Sequence, residues 1–218
     1  SFDNEGIGYA IAQSLVEHLQ ATGVPKGAGV LQINGSPTDA AAGLIRDGID
    51  RALDASPYVT LSEFDTPDWA PPKAQEWAAG QITRFGAEIT GIVAANDGTG
   101  GGAIAALKAA GVDPLPPVTG NDATIAALQL IIAGDQYNTI SKPSEIVAAA
   151  AAEVAVQLMN SETPEATTTH YNTPSQLFVP AVVTQENIKE LVFDAGITAA
   201  SDVCTAEYAA ACAELGIQ

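Results

Sequence analysis

Apolar residues recur at two different spacings along the chain, and the alternation between them defines the fold. Ile7, Ile11, Leu15 and Leu19 fall on one face of a 3.6-residue period, so residues 5–21 predict an amphipathic helix. Residues 30–34, Val-Leu-Gln-Ile-Asn, are short and mostly apolar, as a buried strand requires. The loop Gly35-Ser36-Pro37-Thr38 leads to a helix capped by Thr38 or Asp39 and running to about Leu53. The pattern then repeats. Strands are expected at 58–64, 89–95, 118–120, 137–141 and 177–183, and helices at 72–84, 101–111, 123–133, 143–160 and 185–194. Pro143 suits the first turn of its helix. Residues 161–176, rich in Thr, Pro and Asn, read as a surface loop.

Strands alternating with helices imply an α/β fold, a largely parallel sheet covered on both faces in three αβα layers. In such sheets ligands sit outside the carboxyl ends of the strands. Four expected strands end there on polar or aromatic residues: Trp69 after 58–64, Asn96-Asp97 after 89–95, Asn121-Asp122 after 118–120, and Ser141-Lys142 after 137–141. A carboxylate accepts from neighbouring hydroxyls, an amide both donates and accepts, and an ammonium donates up to three bonds. An indole face adds a flat apolar platform. Together these suit a sugar, with hydroxyls at its edge and C–H groups on its faces. Each residue also has a plainer reading, as a turn residue, a helix cap or a core aromatic. Their coincidence at one sheet edge is what favours a site.

Composition narrows the alternatives. The 218 residues carry a net charge of −18, from 8 basic and 26 acidic side chains. That field repels phosphate backbones and anionic lipid, so no nucleic-acid partner is expected. No apolar run reaches the ~18 residues that span a bilayer. The glycine run 98–102 lacks the Gly-Lys-Ser/Thr ending of a phosphate loop. Neither His18 nor His170 falls at a strand end or at zinc-ligand spacing, and no Gly-x-Ser-x-Gly elbow occurs, so neither an enzyme, a metal site nor a cofactor is expected. Cys204 and Cys212 would stand ~12 Å apart in one straight helix, too far to bridge. A local disulfide therefore needs a bend between them and would place the chain in an oxidising compartment, two free buried thiols being the alternative.

At these residues the sequence resembles the periplasmic sugar-binding proteins of bacterial ABC importers, the xylose-binding type within the ribose/galactose-binding superfamily. The strings SFDNEGIG at 1–8, NGSPTDAAAGLIRDGID at 34–50, DTPDWAPPKA at 65–74, VAANDGTGGGAIAALKAAG at 93–111, TGNDATIAAL at 119–128 and ISKPSEIVAAAAAEVAVQL at 140–158 carry the likeness. The resemblance implies two α/β lobes joined by a hinge and closing on one monosaccharide, with Trp69 stacking and Asn96, Asp122 and Lys142 as hydrogen-bonding ligands. Asp3, Asn4, Asp97 and Ser141 are further candidates for the ligand or hinge. It divides the chain into a C-terminal lobe at 1–140, a segment at 141–179 that returns to the N-terminal lobe, and a hinge strand and tail at 180–218.

Two departures matter. The family's xylose binders carry asparagines where this chain has Ala40 and Ala41, which implies a different epimer or a ligand held through waters. The chain also opens at Ser1 on Phe2-Asp3-Asn4, a strand's end without its strand. An N-terminal portion of the family fold, with its basic and aromatic ligand contacts, is therefore expected to be missing here or supplied by another chain. The function implied is extracytoplasmic capture of xylose or a related aldose for the importer's membrane subunits. A partner of a chemoreceptor or sensor kinase shares the same sugar site. A LacI-type regulator shares the fold but needs a basic helix-turn-helix segment, which this sequence does not show.

Overall fold

The computed structural model describes residues 1–217. The elements run α1 (Asn4–Ala21), β1 (Gly29–Asn34), α2 (Ala40–Asp54), β2 (Val59–Asp65), α3 (Pro71–Phe85), β3 (Ile89–Ala94), α4 (Asp97–Ala109), α5 (Ile125–Ala133), β4 (Asn138–Ser141), α6 (Ser144–Met159), β5 (Thr168–His170), β6 (Thr173–Ser175), β7 (Ala181–Thr184), α7 (Ala200–Val203) and α8 (Ala209–Glu214).

Strands β2, β1 and β3 form a parallel sheet in that order. The run expected as a strand at 118–120 is reduced to one bridging residue, Val118, opposite Ile92. The sheet nevertheless continues through it. Ile92 N donates to Pro117 O at 2.9 Å and Thr119 N to Ile92 O at 3.0 Å. On the other side Tyr137 N donates to Val118 O at 2.8 Å and Asp122 N to Ile140 O at 3.1 Å, so β4 runs in the same direction. Strand β7 then closes the edge antiparallel to β4, Ser141 facing Ala181.

The pleat sorts the core. Val30 and Val93 point to the face covered by α1 and α2, where Ile7, Ile11, Leu15, Ile45 and Ile49 are buried. Leu31, Ile33 and Ile92 point to the opposite face, against Ala74, Ala78, Ile104 and Leu107 of α3 and α4. A third cluster joins α5, Val183 of β7 and the tail. In that tail Cys204 and Cys212 are bridged, their Cα atoms 6.0 Å apart, because the chain turns between α7 and α8.

Three further elements differ from the sequence reading. Helix α4 begins at Asp97, before the glycines, because Asn96 Oδ1 accepts from Thr99 N at 2.9 Å and caps it there. Gly100 and Gly102 then lie inside the helix, where an added Cβ would press on the carbonyls of Thr119 and Pro71. The surface loop at 161–176 contains the small hairpin β5–β6, and the helix expected at 185–194 is a π-helical turn at Lys189–Asp194. Helix α6 stands apart from the packed core: none of its side chains is buried, and Ile146, Val156, Leu158 and Met159 are exposed. No helix among the described residues is long and apolar enough to cross a membrane.

Helices α1 and α2 meet backbone to backbone at two glycines. A Cβ at Gly8 would run into the carbonyl oxygen of Ile45, and one at Gly48 into that of Glu5. Overpacking of this kind costs ~1–3 kcal/mol. Gly8→Ala and Gly48→Ala should each lower the thermal midpoint, whereas Gly43→Ala, with open space around it, should not. Differential scanning calorimetry of the three variants checks this.

Candidate ligand site at the carboxyl ends of the strands

Every chain reversal at the carboxyl ends of β1, β2, β3 and β4 opens on the same side, as a parallel sheet dictates. There a depression of about 290 Å³ is lined by Asn4, Asp39, Ala41, Ile45, Trp69, Asn96, Asn121, Asp122 and Lys142. All four side chains singled out from the sequence at strand ends, Trp69, Asn96, Asp122 and Lys142, therefore converge, and Asn4 joins them.

Each is held by its neighbours. Asp68 and Trp69 both have φ of +56°, in the short 3-10 turn that follows β2. The indole packs over Gly35, where a Cβ would collide with the ring, and its Nε1 donates to Asp39 Oδ2 at 3.0 Å. The other oxygen of Asp39 caps α2, accepting from Ala41 N at 2.9 Å. Asn96 caps α4 through Oδ1, as its plain reading expects, and also lines the depression. Lys142 Nζ meets Asp122 Oδ1 at 2.7 Å. Asp122 has φ of +110° and Ala123 of +51°, conformations that cost a non-glycine residue ~1–3 kcal/mol each unless the surroundings enforce them.

The remaining candidates sit elsewhere. Asp97 does not line the depression; it lies beneath it, 5% exposed. Its Oδ2 accepts from Thr124 N at 2.8 Å and Thr124 Oγ1 at 3.1 Å. Its Oδ1 accepts from Thr139 Oγ1 at 2.7 Å and Gln136 Nε2 at 3.1 Å. Ser141 is buried, with an Oγ that has no hydrogen-bond partner. Asp3 caps α1, accepting from Gly6 N at 3.0 Å, and borders a neighbouring depression of about 390 Å³ that shares Asn4 and Ala41 with the first and reaches His170 and Tyr171. An apolar groove of about 400 Å³ runs along α6 between Val147, Val154 and Phe178, far in character from the polar site. Asp39 was legible only as a cap, and nothing in the sequence singled out Ile45; the pairing of Asp39 with Trp69 is made by two loops distant in sequence. No cluster of metal-ligating side chains occurs among the described residues.

The fold is a parallel α/β sheet flanked by helices, with a polar depression at its carboxyl edge. The chain belongs to the periplasmic binding protein family, whose domain pattern, described as "Periplasmic binding protein domain", matches residues 1–163. It is similar to the D-xylose-binding periplasmic protein of Escherichia coli, 37% identical over 213 residues that cover 93% of this chain and 62% of that protein. The D-xylose-binding periplasmic protein of Haemophilus influenzae is 34% identical over 204 residues, 90% of this chain and 60% of its own length. Among solved structures, an ABC transporter solute-binding protein from Clostridium phytofermentans with bound β-D-glucose superposes with a TM-score of 0.82 at 26% identity, covering 93% of this chain and 68% of that one. The chain thus spans about 60% of the length of the two curated relatives. The family is one of binding proteins, not enzymes.

Burial dominates the chemistry of Asp97. Loss of water pushes its carboxyl from the ordinary 3.8 up to about 6; the hydrogen bonds from Thr124, Thr139 and Gln136 pull the other way, and the charge of Asp122 adds to the rise. The sign follows from linkage. A carboxyl raised in the folded state stabilises the fold fully below its ordinary value, and that contribution is lost as pH rises through the folded value. The gap corresponds to about 3 kcal/mol lost between about pH 4 and pH 7. Chemical denaturation across this range should therefore show a steeper decline for the wild type than for Asp97→Asn, which lacks the titrating group.

Proposed function

We propose that this chain is the ligand-binding part of an extracytoplasmic solute-binding protein that captures a monosaccharide, xylose or a related aldose, for an ABC importer. The observation that carries the reading is the convergence of Trp69, Asn96, Asp122 and Lys142 on one depression. The names of the relatives support the ligand class, and the bridged Cys204–Cys212 pair supports an oxidising compartment. In this reading Trp69 offers its face to the C–H groups of the ring. Asp122 accepts from two hydroxyls while Lys142 donates, and the mutual pairing of these two charges holds both ready before the sugar arrives. Asn96 donates through its amide while its oxygen stays on the helix cap. With Asp39 and Asp122 against a single Lys142, the lining favours a neutral ligand over an acidic one.

The same reading assigns residues 1–140 to a C-terminal lobe, 141–179 to a segment returning to an N-terminal lobe, and 180–218 to a hinge strand and tail. It is supported by the strand pairing where crossings are expected. Phe2 bridges Phe178 in parallel, and Ser141 pairs with Ala181, so the three crossing points lie side by side. The absence of any buried side chain on α6 fits an element that packs on the other lobe. Capture then works by lobe closure, which buries the sugar and dries its hydrogen bonds.

Isothermal titration with a panel of pentoses and hexoses tests this. A neutral aldose should bind, and a hexuronate should not. Asp122→Ala should weaken the best ligand by ~10- to 100-fold, as loss of a charge-assisted hydrogen bond of ~1.5–3 kcal/mol requires. Trp69→Ala should cost a smaller factor, of order 0.5–1.5 kcal/mol beyond lost area. Unchanged affinity in both variants would remove these residues from the site.

A further inference from the structure

Asp122 can serve the site only from a backbone conformation that non-glycine residues avoid, and three consecutive amide groups hold it there. Asp122 N donates to Ile140 O at 3.1 Å, Ala123 N to Thr139 Oγ1 at 3.1 Å, and Thr124 N to Asp97 Oδ2 at 2.8 Å. The first is an ordinary sheet bond. The other two both depend on Asp97, one directly and one through Thr139, whose hydroxyl donates to Asp97 Oδ1 at 2.7 Å while its oxygen accepts from Ala123. Gly120 leaves room for this: a Cβ there would collide with Asp97 Oδ1 and the Gln136 amide.

We propose that Asp97 is the positioning residue of the site, its buried carboxylate clamping the turn at 122–124 so that Asp122 faces the depression paired with Lys142. The inference rests on the sugar-binding reading for its function but stands on its own geometry. An ionised Asp97 accepts all four bonds it is offered. Protonation turns one acceptor oxygen into a donor, and at least one of the bonds from Thr124, Thr139 or Gln136 is lost. Of the groups packed around it, Thr124, Gln136 and Thr139 are neutral and Asp122 is charged, with Lys142 answering Asp122 at 2.7 Å. The hydrogen bonds that pin the turn favour the ionised carboxyl, so this local clamp weakens as pH falls through the titration of Asp97 near 6, even though relief of the desolvation penalty makes the fold as a whole more stable there.

Two measurements separate this from the sugar reading. In heteronuclear NMR of the chain without sugar, the Asp97 carboxyl should titrate well above the ordinary carboxylate range. The amides of Ala123 and Thr124 should move with the same midpoint. Amides that ignore that titration overturn the proposal whether or not any sugar binds. In calorimetry with D-xylose and D-glucose, affinity should fall about tenfold from about pH 7.5 to about pH 5 in the wild type, the size expected for a lost hydrogen bond to a charged group. Asp97→Asn should bind about tenfold more weakly at the upper pH and lose the pH dependence. If no sugar binds the wild type at any pH, the sugar reading falls and the amide titration alone decides the clamp. Should Asp97→Asn not fold, Thr139→Val serves instead. It should speed hydrogen exchange at the Ala123 amide, and Thr139→Ser, which keeps the hydroxyl, should restore most of the protection. Equal exchange in Thr139→Val and the wild type overturns the relay.

Discussion

One buried carboxylate joins three parts of the sheet that backbone pairing alone leaves loosely tied. The segment at 118–122 is too irregular to be a strand, with one bridge to β3 and two backbone bonds to residues 137 and 140 at β4 and its approach. Asp97, at the end of β3, crosses under it to Thr124 on the far side of the turn and to Thr139 and Gln136 on β4 and its approach. Side-chain bonds around it finish the seam: Thr119 Oγ1 accepts from Ala94 N at 2.8 Å and donates to Ala94 O at 3.1 Å, and Asn121 Nδ2 donates to Ala95 O at 3.3 Å. Where regular strands would bury aliphatic side chains, this seam buries threonine, asparagine and glutamine. Such networks specify one arrangement when satisfied and are costly when broken.

Much of this was legible in the sequence because it rests on short-range patterns. The period of Ile7, Ile11, Leu15 and Leu19 gives α1, and the alternation of strands with helices gives the parallel sheet. Once the sheet is parallel, Trp69, Asn96, Asp122 and Lys142 must share an edge, since each follows a strand or strand-like run. The fine structure needed contacts that no local pattern encodes. Asp39 reads as a cap from its own neighbourhood, but its hold on the Trp69 indole spans 30 residues. Asp97 reads as an exposed strand-end acid beside Asn96. Only the folded turn at 122–124, with its two positive φ values, shows that it faces inward. The start of α4 was misplaced because glycines argue against a helix locally, whereas here they admit the carbonyls of Thr119 and Pro71.

The distribution of burial separates two regimes in one polypeptide. Helices α1 to α5 pack against the sheet on both faces, with side chains such as Ile11, Leu15, Leu107 and Leu128 fully enclosed. Helix α6 and the hairpin that follows bury nothing comparable, and Met159 is 85% exposed. The chain spans about 60% of its curated relatives' length, and on the lobe division proposed above the poorly buried segment is the one assigned to the second lobe. The depression lined by Trp69, Asn96, Asp122 and Lys142 lies on the well-packed side, assembled from loops at the ends of the packed strands.

The cost of that fixing is visible in the fold's own energetics. An ionised Asp97 is destabilising because water is excluded from it, and Asp122 and Ala123 occupy backbone conformations that an unconstrained chain would leave. A fold selected for stability alone would place a neutral side chain at 97 and a glycine at 122. Retaining the buried charge and the strained aspartate sacrifices several kcal/mol of a total that is rarely above ~15. In exchange Asp122 and Lys142 are set at 2.7 Å from each other across two separate strand ends. Binding sites gain affinity when groups need no rearrangement on binding. The strain is thus concentrated where the strand ends meet the depression, while the aliphatic core beneath carries the stability that permits it.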